Sequence, residues 1–499
     1  MLILKIIDVI YSLISAIFIE NFSHLYQLKD YNNYRYLSHL VHRRFWIICF
    51  NLALVLLTNL IPNFVIKLSL LSLSIIINIL LCSTLIKEKK TVFNKTSKIK
   101  RLYFICCILI VLLAFLPKIL AFSQIFIVFS PIFANFLNIF DKIKNFKFLK
   151  SAQTKLKSSK AKVIAITGSN GKTSIKNILL KMLSAEHKVQ ASPMSYNTPL
   201  GISKFINNEL KNDCEFVILE YGARHKNDVK KLCKIFGADY GIISTVSAQH
   251  LQTFKSIKNV AKAKNELPKF LKNKLCIFNA DNYFCRQMFN EKIGKKLSVS
   301  ISKKTDIFAS NIIIKNFQTH FRLHTKNLCA QVSTNLLGSH NVTNILLATA
   351  LALELNVSIE KIIEAISTLS PTPHRLEYIK SHINILDDSY NCSIASASEA
   401  IKVLNSTKHK KMIVTPGIIE GGKNQFSLNV NLGKMCCDVD YIVVVGKTNK
   451  KAIQTGIESQ KHKCKIIYCK SLDESKHYFH LLNKNDCLLL LNDLPDDYN

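Results

Sequence analysis

The sequence predicts an α/β protein in three parts: apolar helices over 1–150, a doubly wound domain over 151–370, and a smaller α/β domain over 371–499. Three observations carry this. The first 150 residues hold long apolar runs almost without charge; from Lys162 onward short β-branched strands alternate with segments at helical spacing; and a further series of strands follows Pro371. A chain of 499 residues has room for three domains of ordinary size.

Residues 45–61, 64–86, 103–116 and 119–140 are apolar, and 3–19 is a weaker run interrupted by Lys5 and Asp8. A bilayer core of about 30 Å asks for roughly 20 apolar residues in a helix. The expectation is four or five transmembrane helices, paired as hairpins that turn at Pro62-Asn63 and Pro117-Lys118. The basic segments at His42-Arg43-Arg44, 87–101 and 142–162 then lie on the cytoplasmic side. No small-residue cleavage site follows the first run, so it is not read as a signal peptide.

The formal charge of +34 points by itself to a nucleic-acid binder. No basic run is interleaved with aromatics, so no specific nucleic acid is expected, and the charge suits an anionic leaflet and phosphorylated substrates. The 15 cysteines show no C-x-x-C pair and no regular spacing, which argues for reduced cytosolic thiols and against a disulfide framework or zinc site.

Residues 163–167 read as a buried strand, and from Thr173 apolar residues at Ile175, Ile178, Leu179 and Met182 give a helical spacing. Between them lie Gly168, Ser169, Asn170, Gly171, Lys172, Thr173 and Ser174. A strand that turns through two glycines into a helix brings backbone N–H groups and the positive helix end to phosphate oxygens. Lys172 then reaches the terminal phosphates, and the Thr173 hydroxyl is placed for magnesium. Ile166 stands where the general phosphate loop has its first glycine, leaving the shorter T-G-x-N-G-K-[ST] form.

That shorter form resembles the ATP loop of the Mur ligase superfamily, ATP-dependent enzymes that form amide bonds. Ser195 to Gly201 resembles the N-T-x-x-G segment of the MurF-type members, and Glu220-Tyr221-Gly222-Ala223 their E-x-G-A segment. The resemblance makes Glu220 a magnesium ligand; a carboxylate at the carboxyl end of a parallel strand beside the phosphate loop suits this. His250-Leu251, followed by Ala263-Lys264-Asn265-Glu266-Leu267, resembles the segment in which the histidine binds a second magnesium and the lysine is carbamylated. Lys264 rather than Lys262 is the matching lysine. Asn341 and Asn344, within Gly338 to Asn344, match residues that contact adenine, although Ser339 and Asn341 also suit a helix cap.

Arg375 falls where the family has a phosphate-contacting arginine, and in Asp387-Asp388-Ser389-Tyr390-Asn391 the second aspartate, Asp388, is expected at the ribose. Cys392-Ser393-Ile394 departs from the family's usual Ala-Asn-Pro, and the chain's ending lacks its lysine-glycine-serine segment. Strands are expected over 383–386, 412–415, 441–445 and 487–491.

The resemblance begins near Lys162, and apolar runs stand where the family's uridine-nucleotide domain would be. It implies ATP and Mg2+ as cofactors, UDP-N-acetylmuramoyl-tripeptide and D-alanyl-D-alanine as substrates, and peptidoglycan precursor synthesis as the setting. The location implied is the bacterial inner membrane, with the ligase domains in the cytoplasm. Lys172, His250 and Lys264 are the catalytic candidates; Thr173, Glu220, His250 and Lys264 the metal candidates. Alternatives are a superfamily ligase acting on a folate, cyanophycin or lipid-linked acceptor, and an ATP-binding membrane scaffold for wall-synthesis enzymes.

Overall fold

The computed structural model describes residues 10–11, 14, 22–24, 33–58, 61, 63–87, 104, 143–193, 196–247, 249, 251–390, 392–419 and 424–492. The chain divides into two units, 1–146 and 147–499.

In the first unit the helices Asn33–Thr58 and Phe64–Lys87 pack on one another. Among the described residues no helix is long and apolar enough to cross a membrane. This overturns the expected transmembrane helices and, with them, the inner-membrane location and the membrane as a partner. The physical reason lies in the polar groups within the two helices. Arg43-Arg44 delays the apolar part of the first, and Lys67, Ser69, Ser72, Ser74 and Asn78 interrupt the second. At their contact Tyr11 Oη shares a hydrogen with Ser74 Oγ at 2.6 Å, Ser74 Oγ donates to Asn51 Oδ1 at 2.6 Å, and Asn51 Nδ2 donates to Asn78 Oδ1 at 3.1 Å. The runs at 3–19, 103–116 and 119–140 lie almost wholly outside the described residues.

The second unit contains two sheets. The larger is built from β1 (Lys162–Thr167), β2 (Val189–Ala191), β3 (Phe216–Glu220), β4 (Tyr240–Ile243), β5 (Cys276–Asn279), β6 (Lys296–Ser300), β7 (Ile307–Lys315), β8 (Gln318–His324) and β9 (Cys329–Thr334), in the order β2-β3-β1-β4-β5-β6-β7-β8-β9. It is parallel from β2 through β7 and antiparallel over β7, β8 and β9. β1 is nearly all apolar because both of its faces are covered. Ile164 and Ile166 pack with Ile175, Leu179 and Ile345 of the helices Lys172–Leu183 and Ser339–Glu354. Val163 and Ala165, on the other face, pack with Phe205 of Pro199–Asn208 and Leu232 of Asp228–Phe236.

The antiparallel extension was not expected from sequence. Its alternation is broken by a register shift between Ser310 and Ile313, next to Asn311 at φ 52°. The β7–β8 hairpin turns through Asn316 and Phe317, at φ 51° and 55°, a two-residue turn of the primed kind.

The smaller sheet contains β10 (Glu377–Lys380), β11 (Asn384–Asp388), β12 (Lys411–Thr415), β13 (Tyr441–Val445), β14 (Lys465–Cys469) and β15 (Cys487–Leu491), ordered β10-β11-β15-β12-β13-β14. The expected strands at 412–415, 441–445 and 487–491 are present, and β11 continues through the aspartate pair. The edge strands β10 and β14 were not expected: β10 carries Glu377 and Lys380 at its ends, whereas Ile466, Ile467, Tyr468 and Cys469 of β14 form an apolar run that was passed over. The cysteines among the described residues are free, and most are buried.

Candidate active site

The larger sheet changes winding direction at β1, whose neighbours are β3 and β4, and the carboxyl ends of these strands form a crevice of the kind that binds ligands in doubly wound sheets. Thr167 Oγ1, ending β1, donates to Tyr221 O at 2.7 Å. Gly168 and Gly171 take φ of 149° and 82°. A Cβ on Gly168 would run into Ser244 Oγ, and one on Gly171 would stand 2.6 Å from Asn344 Oδ1. Side chains are excluded at both positions by conformation and by space.

The segment after β4 holds the loop in shape. Ser169 N donates to Thr245 O at 2.7 Å, Ser247 N to Ser169 Oγ at 3.0 Å, and Asn170 N to Thr245 Oγ1 at 3.3 Å. The helix Lys172–Leu183 starts at once, with Gly171 as its N-cap and no side-chain cap bond. Its first turn, which includes Ser174, therefore presents backbone amides and the positive helix end to an anion.

Lys172 folds back over the loop, donating to Gly168 O at 2.8 Å and Ser169 O at 2.9 Å. Burial pushes its ammonium down to about 8; Glu220 opposes the shift and Arg375 adds to it. Thr173 Oγ1 donates to Glu220 Oε2 at 3.2 Å. The other oxygen, Glu220 Oε1, lies 2.8 Å from Lys176 Nζ in a pair buried on both sides. Lys176 was not singled out in the sequence. Its signal was a lysine on the same stripe as Leu179 and Leu183, where an apolar residue is expected.

Thr173 offers a hydroxyl oxygen at the loop, with the buried Glu220 carboxylate behind it at 3.2 Å. Among the described residues no group of three or more His, Cys, Asp or Glu could hold a metal. That donor set fits magnesium, which binds through one or two carboxylates and takes its other ligands from phosphate and water. His250, the expected ligand of a second metal, lies outside the described residues.

Lys264 ends the helix Ile257–Lys264 and is 3% exposed, whereas Lys262 faces solvent. It lines a cavity of about 470 Å³ together with Gly168, Lys172, Asn197, Arg224 and His225. Burial pushes the Lys264 amine down to about 7, and Lys172 adds to the shift. The nearby carboxylates are engaged elsewhere. Asp228 Oδ2 accepts from Arg224 N and His225 N at 2.8 and 2.7 Å, and the two Glu266 oxygens accept from Asn227 N and Lys230 N, each at 2.8 Å.

Asn341 and Asn344 are buried in the helix Ser339–Glu354. Asn341 Nδ2 donates to Leu337 O at 2.8 Å and Asn344 Nδ2 to Asn341 Oδ1 at 3.2 Å, so Asn344 stands beside Gly171. Capping by Ser339 or Asn341 is not what the structure has. Gly338 is the N-cap without a side-chain bond, and Ser339 N donates instead to Glu399 Oε2 at 3.1 Å. Glu399 lies in the domain that follows, on the helix Ile394–Asn405; its carboxylate at this helix start was not legible in the sequence.

Arg375 stacks over the Tyr390 ring at 4.3 Å, between His374 and Leu376 at φ 62° and 52°. Its positive charge works to lower both the Lys172 and the Asp388 values. Asp387 pairs with His374 Nδ1 at 2.8 Å. Asp388, 8% exposed, has its carboxyl pushed up to about 7 by burial, against a backbone bond from Leu376 and the Arg375 charge.

A carboxyl that titrates higher in the folded than in the unfolded chain contributes stability fully below its unfolded value of 3.8, and that contribution is lost as pH rises toward 7. Asp388→Asn removes this pH dependence. The variant should gain on the parent between pH 4 and pH 7, by at most about 4 kcal/mol, as read by urea melts at pH 5 and pH 8. An equal difference at the two pH values contradicts it.

Residues 166–352 match the family model of the Mur ligase middle domain. Over these residues the chain is similar to that domain. It is 33% identical over 299 residues to the UDP-N-acetylmuramoyl-tripeptide–D-alanyl-D-alanine ligase of Buchnera aphidicola subsp. Baizongia pistaciae, covering 58% of this chain and 64% of that protein. It is 29% identical over 295 residues to the enzyme of that name from Escherichia coli K12, covering 58% and 65%. The chain thus spans less than two thirds of the length of these relatives. Its fold is similar to a crystal structure of MurF from Acinetobacter baumannii, with a TM-score of 0.62 at 25% identity over 70% of this chain and 77% of that one. The matched residues include the phosphate loop from Gly168, Glu220, Lys264, Asn341 and Asn344; Arg375 and Asp388 lie beyond them.

Proposed function

We propose that this chain is an ATP-dependent amide ligase that joins D-alanyl-D-alanine to UDP-N-acetylmuramoyl-tripeptide through an acyl phosphate, in peptidoglycan precursor synthesis. The observation that carries this reading is the convergence of Lys172, its glycine loop and the buried Lys264 on one cavity. The names of the relatives supply the acid and the amine.

In this reading the loop from Gly168 to Ser174 holds the ATP phosphates, with Lys172 and Arg375 as point charges and Thr173 and Glu220 as magnesium ligands. Asn341 and Asn344 serve the adenine and Asp388 the ribose. Magnesium supplies charge neutralisation between two anionic reactants. A carboxylate oxygen of the tripeptide bonds to the γ-phosphorus as the bond to the bridging oxygen breaks, and ADP leaves. The amine then attacks the acyl carbon, the bond to phosphate breaks, and the nitrogen gives up a proton. Lys172 and Arg375, fixed before the reaction, stabilise the negative charge that moves through these steps.

Mass analysis of the products tests the acceptor and the amine. Incubation with ATP and UDP-N-acetylmuramoyl-tripeptide should give the amide with D-alanyl-D-alanine and none with L-alanyl-L-alanine. Amide formation on a folate, cyanophycin or lipid-linked acceptor alone would move the assignment to another branch of the superfamily.

A further inference from the structure

The charge pair at the carboxyl end of β3 is deeper than the chemistry it serves. Glu220 is wholly buried and Lys176 is 2% exposed. Lys176 Nζ donates to Ser192 O at 2.6 Å and lies 2.8 Å from Glu220 Oε1. Ser192 follows β2, Glu220 ends β3 and Lys176 rises from the helix after the phosphate loop, so three elements converge on one ammonium. Its charge forms an ion pair with Oε1, an oxygen that accepts no hydrogen bond among the described residues, and leaves Oε2 for the Thr173 hydroxyl. With its hydrogen donated to Glu220 Oε2, the Thr173 hydroxyl keeps the lone pairs of its oxygen directed toward the mouth of the loop.

We propose that Lys176 is a positioning residue: clamped between Ser192 O and Glu220 Oε1, it fixes the rotation of the Glu220 carboxylate and, through it, the orientation of the Thr173 hydroxyl toward a divalent cation. The inference rests on the reading that Thr173 and Glu220 hold magnesium. Lys176 does not touch nucleotide or metal; it acts through Glu220. A carboxylate free to rotate in a buried site would pair with whichever donor is nearest and present no fixed oxygen to an incoming ion.

The test is calorimetric binding of ADP to the full chain, with magnesium and with EDTA, for the parent, K176M, K176R, E220Q and K176M/E220Q. Magnesium-dependent tightening should fall at least tenfold in K176M, with binding in EDTA unchanged, and K176R should recover most of it. In the E220Q background K176M should change nothing, since the group it acts on is gone. If K176M alone fails to fold, K176Q, which keeps a polar donor beside Glu220 without the charge, takes its place in the comparison. An equal effect of K176M in both backgrounds, or undiminished magnesium dependence in folded K176M, overturns the inference. A parent that binds ADP equally with and without magnesium overturns the metal reading instead.

Discussion

Lys172→Ala is expected to lower kcat for amide formation by about three orders of magnitude, the scale of removing one fixed charge from a transition state that disperses negative charge. Among the described residues the side chain is held only by the carbonyls of Gly168 and Ser169, within its own loop. It joins no other element, and burial already works against its charge, holding it near 8. The depression of a lysine below its ordinary 10.5 means that the folded state binds fewer protons than the unfolded one between pH 8 and 10.5. Its stability contribution is least favourable below pH 8 and improves as pH rises. The alanine variant should therefore melt no lower than the parent at pH 7. Steady-state rates beside thermal melts separate the two effects; a loss of activity that tracks a loss of stability would make Lys172 structural.

The second large effect is expected at Lys264. Lys264→Met should reduce turnover about a hundredfold or more, again on the scale of a lost electrostatic group, and Lys264→Arg should not restore it. The amine lies on the cavity wall, and burial lowers its value to about 7, which favours the neutral form that can react with carbon dioxide, as the family resemblance implies. A guanidinium stays charged and cannot. Burying this ammonium costs stability that is regained as pH rises from 7 toward 10.5. The methionine variant should thus be more stable than the parent at pH 6, by at most about 5 kcal/mol, with the gap closing by pH 10. Removal of bicarbonate should slow the parent and leave the variant unchanged. If Lys264→Arg is as active as the parent, Lys264 contributes only positive charge.

The parallel core around β1 was legible because strands covered on both faces have nowhere to place polar residues, so 163–167 and 216–219 stand out as apolar runs. The phosphate loop was legible because two glycines, a lysine and a hydroxyl must be adjacent in sequence to be adjacent in space. Contacts between distant segments were not. Nothing in the local sequence places Glu399 at the start of the helix Ser339–Glu354, or Arg375 where its charge reaches Lys172. Lys176 looks like any helical lysine until β3 brings Glu220 to it. The apolar runs at 45–61 and 64–86 misled for a different reason. Composition records how apolar a stretch is, and it did not show that Asn51, Ser74 and Asn78 would meet in a hydrogen-bonded seam between two packed helices.

Phosphate release from ATP by the purified full chain, with UDP-N-acetylmuramoyl-tripeptide and D-alanyl-D-alanine added singly and together, decides whether the two substrates are joined at the expense of ATP. Sustained release is expected only with both substrates, in step with amide formed, and none from Lys172→Ala. Release that proceeds equally without the tripeptide, or nucleotide binding with no release under any combination, would contradict the ligase reading.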